Sequence, residues 1–250
     1  PAPDTETKRK VYLFNDEFTN FNESEIGIKA ILLLTQLGYE VKIPVHKESG
    51  RTFLSKGLVR TSKKIAVENV KLLKNIVSAE TPLIGIEPSA ILAFCDEYPD
   101  LVGEELKQDA EKLAENALLF EEFIAKEAEE GNIAAGHFTE TEKQILLHGH
   151  CQQKAVASTE PTKQMLSLPV NYSVKEIPSG CCGMAGSFGY EKEHYDLSMK
   201  IGEMVLFPAV RDAEEKVIIS APGTSCRHQI KDGTGKTSMH PVEVMYESLR

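Results

Sequence analysis

The sequence predicts an α/β protein made of two repeated units, each a small parallel sheet flanked by helices. Short apolar runs rich in β-branched residues alternate with longer amphipathic segments, which is the pattern of parallel strands connected by helices. Turn residues recur in pairs at offsets of 134, 133 and 134: Pro44 and Pro178, Gly50 and Gly183, Pro88 and Pro222. A nearly constant offset indicates a duplicated unit.

The first half of the 250-residue chain gives three strands and two long helices. In order we predict strand 10–16, helix 23–38, strand 39–44, a loop over 48–57, helix 60–77 and strand 82–89. The acidic stretch 103–131 then carries apolar residues on one helical face, at Leu106, Ala110, Leu113, Ala117, Phe120 and Ile124. It predicts one connecting helix, so the first unit extends over residues 1–136.

The second half repeats this order within residues 137–250. We predict strand 143–151, helix 152–168, strand 172–178, the glycine-rich loop SGCCGMAGSFG over 179–189, helix 190–206 and strand 216–226. Both sheets are therefore expected to be covered by helices in Rossmann-like layers.

Composition excludes several classes of protein. A net charge of −10 leaves no basic footprint, so we expect no nucleic-acid partner. No apolar run is long enough to predict a membrane-spanning helix. Five cysteines without the spacing of a disulfide scaffold favour a reducing, cytoplasmic compartment. The first ten residues are mostly polar or proline and predict a linker, and we expect the chain to be a piece of a longer protein.

Four of the five cysteines follow predicted strands of the second unit. Cys151 comes after the first strand, Cys181 and Cys182 after the second, and Cys226 after the third. The carboxyl ends of parallel strands meet at one edge of a sheet, and the following helices point their N-termini there. We therefore expect the four thiols to converge where positive helix ends stabilise thiolates.

Two metal groups suit four converging thiolates, an iron–sulfur cluster and zinc. Structural zinc sites usually use Cys-x(2–4)-Cys pairs, and their absence favours a cluster. Two other interpretations remain: inert buried cysteines, and a disulfide between Cys181 and Cys182. The fifth cysteine, Cys95, lies in an apolar helical stretch of the first half and is predicted to be a core residue.

Three histidines lie near the predicted thiol site. His148 and His150 precede Cys151, and His228 follows Cys226 by two residues. Such histidines can donate a hydrogen bond to a cluster, ligate a metal directly, or only cap backbone groups. The first unit has no thiol at the equivalent places, which hold Glu17, Glu48, Ser49 and Ala90. We expect that unit to be structural.

The segments HGHCQQKA, GCCGMAGSFGYEKEHYDLSMKIGE, APGTSCRHQI and HPVEVMYESL resemble the cysteine-rich CCG domain. That domain occurs in the iron–sulfur component of glycolate oxidase, in lactate-utilisation proteins, in anaerobic glycerol-3-phosphate dehydrogenase and in heterodisulfide reductase. The resemblance covers about residues 10–250 and is greatest to the C-terminal region of FAD-linked 2-hydroxy-acid dehydrogenases fused to iron–sulfur modules. This chain departs from it in the first unit, which reads ESG and EPSA where relatives have Cys-Cys-Gly and EPSC, and at CRHQ, where some members have Cys-x-x-Cys.

The resemblance implies a metal site and a redox role. It assigns Cys151, Cys181, Cys182 and Cys226 as ligands of a 4Fe–4S type cluster, with zinc as the alternative, and Gly183 as the loop glycine. His150 and His228 would lie in the surrounding shell of the cofactor site. The chain would be an electron-transfer module of an FAD-dependent oxidoreductase that oxidises a 2-hydroxy acid such as lactate or glycolate. The alternative is a zinc-stabilised structural or docking module without redox change. FAD would lie outside this chain, on a missing region or on a partner, and the expected partners are flavin-containing and ferredoxin-like domains or subunits. The expected location is the cytoplasm, with peripheral association at the inner face of the membrane through those partners as a further expectation.

Overall fold

The structure is a computed structural model that describes residues 9–250, so the linker predicted for the first ten residues lies almost wholly outside it. The described chain divides into two compact units between Phe123 and Ile124. Each unit is built around its own parallel sheet with helices around it, which confirms the predicted α/β fold class. None of the helices in this described part combines the length and the apolar character needed to cross a membrane.

The first unit contains a four-stranded sheet of order β2-β1-β3-β4, with every pairing parallel. Its elements are β1 (Lys10–Phe14), α1 (Glu17–Phe21), α2 (Ser24–Gln36), β2 (Glu40–Lys42), α3 (Arg51–Leu54), α4 (Val59–Leu73), β3 (Leu83–Gly85), α5 (Pro88–Cys95), α6 (Tyr98–Leu101), α7 (Glu104–Ala114), β4 (Ala117–Leu119) and α8 (Phe120–Glu129), the last of which crosses the division. The central strands β1 and β3 are almost wholly buried. This burial explains why their sequences read as continuous apolar runs.

The prediction of one connecting helix over 103–131 is wrong. The segment is α7 and α8 with strand β4 between them, and β4 pairs with β3 in the register Leu83↔Ala117 and Gly85↔Leu119. Both Ala117 and Leu119 are buried. The apolar residues 117–119 fit a helical stripe and a short strand equally well. The segment forms a strand because β3 offers an edge of backbone groups that need hydrogen-bond partners.

The second unit contains a three-stranded parallel sheet of order β6-β5-β7, which repeats the β2-β1-β3 order of the first. Its elements are β5 (Lys143–Leu147), α9 (Cys151–Val156), α10 (Glu160–Leu166), β6 (Tyr172–Glu176), α11 (Tyr195–Met204), α12 (Leu206–Asp212), β7 (Ile218–Ser220), α13 (Thr224–Thr234) and α14 (Pro241–Glu247). Met239 forms a parallel bridge with Ser220, on the side of β7 away from β5. This single bridge lies on the side of β7 that corresponds to the place of β4 beside β3.

The helix predicted over 152–168 is broken in two. Ala157 leaves the helical region with φ −131° and ψ −135°, and α10 restarts with a proline in its first turn. The Gln153 side chain stabilises the break by donating to the Ser158 carbonyl at 3.0 Å and to the Thr162 hydroxyl at 2.9 Å. The break leaves α9 as a single short helix that begins at Cys151.

Candidate metal centre

The structure places the four cysteines of the second unit at the carboxyl edge of its sheet. Cys151 is the first residue of α9, which follows β5 after three residues, and Cys226 lies in the first turn of α13, which follows β7. Cys181 and Cys182 lie in the loop after β6. Because β5, β6 and β7 are parallel, these three connections start from the same edge.

The four thiols contact one another in sequence order, and we call them the thiol row. Hydrogen bonds link Cys151 to Cys181, Cys181 to Cys182, and Cys182 to Cys226. All four are free cysteines, of which Cys182 and Cys226 are buried and the other two half-buried. The thiol row therefore leads from the partly exposed loop into the interior of the second unit.

The loop conformation depends on Gly183. Its φ is +102°, and a Cβ atom placed there would lie 2.2 Å from the Ser198 carbonyl oxygen, so another residue would not fit. In this conformation the Gly183 N–H donates to Cys181 Sγ at 3.3 Å, and the Ala185 N–H donates to the same sulfur. Two backbone donors thus point at one thiol, as expected for a site that holds an anionic sulfur.

Gln229 joins the loop to the helices behind it. Its buried side-chain amide donates to the Cys182 carbonyl at 3.0 Å and to the Ser198 carbonyl at 3.1 Å. The buried Arg227, also on α13, donates to the carbonyls of Ala221 and Pro222 at 2.7 and 2.8 Å. Gln229 thus holds the loop that carries Cys182 against α13, and Arg227 braces the turn that precedes Cys226.

Electrostatics divide the thiol row into proton donors and proton acceptors. The pKa of Cys226 is lowered chiefly by the hydrogen bond from Cys182, with further help from the His148 ring and against the effect of burial. The pKa of Cys181 is lowered by hydrogen bonds from Cys151 and Cys182 and by the backbone donors. The pKa values of Cys151 and Cys182 are raised, because each thiol donates such a hydrogen bond and because burial disfavours the thiolate. Cys181 and Cys226 are therefore the thiols that ionise first, and thiolates are the form that binds metals.

His148 completes a compact group of donor atoms. Among the residues that the structure describes, one group of three or more possible metal ligands packs closely: His148, Cys182 and Cys226, whose donor atoms lie within 4.8 Å of one another. His148 is fully buried, and its Nδ1 lies 2.7 Å from Ser179 Oγ. The sequence predicted that His148 lies near the thiols but did not identify it as a cofactor-binding residue. The one signal in the sequence was its position three residues before Cys151.

His150 and His228, both predicted to surround the cofactor, lie in different places. His150 is buried beside Cys226, and a Cβ atom added at Gly223 would lie 2.5 Å from the His150 ring and 3.2 Å from Cys226 Sγ. His228 is exposed on α13, with its Nδ1 2.7 Å from the Tyr190 hydroxyl. His150 therefore borders the thiol row, and the His228 side chain lies at the surface.

The first unit repeats the loop without the thiols. Glu17, at the place of Cys151, accepts hydrogen bonds from the Ser49 N–H at 2.8 Å and from the Ser49 hydroxyl at 2.6 Å. Ser49 stands at the place of Cys182. Gly50 has φ +76°, and its added Cβ would meet Ser62 Oγ at 2.8 Å, as the added Cβ of Gly183 meets Ser198. A carboxylate and a hydroxyl thus link the same two connections that the hydrogen bond from Cys151 to Cys181 links in the second unit.

The donors of the second unit fit a thiophilic metal or an iron–sulfur cluster. The thiols find their side-chain partners largely in one another, and His148 Nε2 and His150 Nδ1 are buried without a hydrogen-bond partner among the described residues. Buried polar groups are normally satisfied, so the two orphan nitrogens indicate that something else belongs there. Soft sulfur donors with imidazole nitrogen suit zinc and iron–sulfur clusters, and they do not suit magnesium or calcium.

Comparison with known proteins finds similarity to dehydrogenases and to a lactate utilization protein. It is 27% identical over 247 residues to D-2-hydroxyglutarate dehydrogenase of Pantoea ananatis, covering 98% of this chain and 23% of that protein. It is 25% identical over 251 residues to one of the subunits of anaerobic glycerol-3-phosphate dehydrogenase of Escherichia coli K12, covering 99% of this chain and 61% of that relative. Lactate utilization protein A of Bacillus licheniformis is 26% identical over 244 residues, with 95% of this chain and 96% of that protein covered.

No family model matches the chain. The similarity to the relatives extends over nearly all of this chain, but the chain spans less than a quarter of the length of the two 2-hydroxyglutarate dehydrogenases it matches from Pantoea ananatis and Escherichia coli. The chain therefore matches a part of the 2-hydroxyglutarate dehydrogenase and a part of the glycerol-3-phosphate dehydrogenase subunit. It matches nearly the whole length of lactate utilization protein A.

Proposed function

We propose that this chain is an iron–sulfur electron-transfer module of the CCG type, part of an FAD-linked oxidoreductase that oxidises a 2-hydroxy acid. Cys151, Cys181, Cys182 and Cys226 would hold a 4Fe–4S type cluster. The observation that carries the proposal is the convergence of these four thiols, from three separate connections, at one sheet edge. The relatives support the redox role, because their names are those of dehydrogenases and a lactate-utilisation protein.

An iron–sulfur cluster supplies a one-electron carrier when bound. This chain would set the carrier's position and reduction potential. The N–H groups of Gly183 and Ala185 donate to Cys181 Sγ, and donors to ligand sulfur stabilise the reduced form and raise the potential. Burial of Cys182 and Cys226 opposes the extra negative charge of reduction. The partly exposed end at Cys151 and Cys181 is the side from which an electron donor can approach.

The remaining parts of the reaction belong to other domains. The flavin, the substrate pocket and ferredoxin-like clusters would lie on flavin-containing and ferredoxin-like partners, since the chain corresponds to about 23% of the 2-hydroxyglutarate dehydrogenase of Pantoea ananatis. Five free cysteines suit a reducing compartment, so we place the module on the cytoplasmic side, with any membrane association supplied by its partners.

A zinc-stabilised docking module without redox change is the second candidate. It is favoured by the close group of His148, Cys182 and Cys226, whose donor atoms lie within 4.8 Å of one another. Tetrahedral zinc with Zn–S bonds of about 2.3 Å places its ligand atoms about 3.8 Å apart, which is compatible with that spacing.

Metal analysis of protein purified without oxygen decides between the two candidates. The electron-transfer module predicts iron, acid-labile sulfide and a visible spectrum that bleaches on reduction. Zinc alone, with neither iron nor sulfide and no uptake of either on reconstitution, contradicts it and supports the docking module.

Two cysteine variants make this experiment specific. Cys181→Ser should lose the visible spectrum, because it removes a central member of the thiol row. Cys95→Ala is the matched control: the Cys95 thiol lies in the first unit and donates to the Ala117 carbonyl at 3.4 Å, so its loss should leave the spectrum unchanged.

A further inference from the structure

We infer that His148 is a protein ligand of the same metal centre, binding through Nε2 beside Cys182 and Cys226. The inference rests on the proposed presence of a metal centre, and it adds a nitrogen donor to the four sulfurs. The centre would then have five protein donors, and the imidazole would lie at its buried end.

The first argument is the state of the His148 ring. The side chain is fully buried, and Nε2 makes no geometrically satisfactory hydrogen bond among the described residues, although the ring interacts with the Cys226 thiol and lowers its pKa. An imidazole nitrogen that is removed from water and left unpaired is unfavourable, whereas a metal ion would use its lone pair. The sulfurs of Cys182 and Cys226 lie within 4.8 Å of the donor nitrogen, which is the spacing of atoms that share one metal.

The second argument is the way that Ser179 fixes the ring. Ser179 Oγ lies 2.7 Å from His148 Nδ1, which leaves Nε2 as the nitrogen that faces the thiols. Ser179 is itself held, because its N–H donates to the Ile177 carbonyl at 2.8 Å and Lys154 Nζ donates to its carbonyl. Histidines that bind metals usually have their other ring nitrogen held by such a partner.

The third argument is the supply of donors in the second unit. The fifth cysteine, Cys95, belongs to the first unit and bonds to backbone carbonyls there. His228 is exposed and contacts Tyr190. In the part of the chain that the structure describes, His148 is the histidine whose nitrogen falls in the close group with Cys182 and Cys226.

The test is pulsed EPR on the full chain prepared without oxygen and labelled with ¹⁵N-histidine. The probes are iron with sulfide in one sample and Co²⁺ alone in another. We expect an imidazole nitrogen coupled to the bound metal in the native protein and in His228→Gln, and loss of this coupling in His148→Gln. Retention of the coupling in His148→Gln, or its loss in His150→Gln alone, overturns the inference.

A second variant guards against misfolding, because the His148 ring is fully buried. Ser179→Ala keeps the ring and removes its Nδ1 partner, so we expect Co²⁺ affinity to fall about tenfold and the nitrogen coupling to change. Unchanged affinity and coupling in Ser179→Ala count against the inference. The measurement on native protein needs no variant at all.

The outcomes separate this inference from the proposed function. Binding of Co²⁺ with nitrogen coupling, but no uptake of iron and sulfide, refutes the electron-transfer module and supports the role of His148. A reducible cluster without nitrogen coupling in native protein does the reverse. Failure to bind either probe refutes both.

Discussion

Replacing Gly183 by alanine tests whether the loop geometry creates the metal centre. At φ +102° a residue with a Cβ is strained by about 1–3 kcal/mol. The added Cβ would also lie 2.2 Å from the Ser198 carbonyl oxygen, which is backbone and moves only if α11 or the loop moves. Overpacking of this kind costs a further 1–3 kcal/mol, roughly, so we expect Gly183→Ala to reduce the free energy of unfolding by about 3 kcal/mol or more.

Gly235→Ala is the matched control for this prediction. Gly235 ends α13 with φ +75°, and an added Cβ would meet nothing within 4 Å, so only the backbone strain of about 1 kcal/mol remains. Both glycines belong to the second unit, so the two losses can be compared in one transition.

The assay is urea unfolding of oxygen-free apoprotein, followed by circular dichroism, with metal uptake measured in parallel. Gly183→Ala should lose metal uptake as well as stability, because the shifted loop no longer presents its N–H groups to Cys181. Equal losses of stability in the two variants, or normal metal uptake in Gly183→Ala, would refute the reasoning.

Three further predictions concern single side chains. Gln229→Leu should cost about 1–3 kcal/mol in urea unfolding, because it leaves the Cys182 carbonyl unpaired. Burial raises the pKa of Asp16 from 3.8 to about 7, so the folded carboxyl keeps its proton where the unfolded one loses it. Stability of the first unit should therefore fall as pH rises from about 4 to 7, by up to about 4 kcal/mol, and Asp16→Asn should flatten this slope in thermal melts. In apoprotein, iodoacetamide at pH 7 should label Cys181 before Cys95 by mass spectrometry, because hydrogen bonds to Cys181 lower its pKa and burial raises the pKa of Cys95 to about 12. Equal labelling rates would contradict this last expectation.

The sequence predicted those features that depend on burial of whole strands. The run at β1 was recognised because a largely buried strand is apolar over most of its length, and the run at β5 was recognised by its apolar residues 145–147, which are buried or half-buried. The shared edge of the three cysteine-bearing connections followed from parallel topology alone. The matching strand orders β2-β1-β3 and β6-β5-β7 agree with the duplication that the turn residues indicated.

Features that depend on a partner elsewhere in the fold were missed. Strand β4 is three residues long and exists because β3 offers an unpaired edge, which local periodicity cannot reveal. The break after α9 depends on Gln153 reaching Ser158 and Thr162. His148 was not separated from His150 because a difference of two positions along the chain gives no information about which ring is held by Ser179, 31 residues away.

Comparison of the two units separates the loop frame from the metal chemistry. Both units have a positive-φ glycine packed against a serine, Gly50 on Ser62 and Gly183 on Ser198. In the first unit the Glu17 carboxylate satisfies both donors of Ser49, so the loop is closed by oxygen and nitrogen atoms of the chain itself. In the second unit the equivalent closure is made by thiols that hydrogen-bond weakly, next to two buried imidazole nitrogens without partners among the described residues. Since the same frame can close without sulfur, stability of the fold alone does not require the thiol row, and its soft donors are better explained by a ligand than by packing.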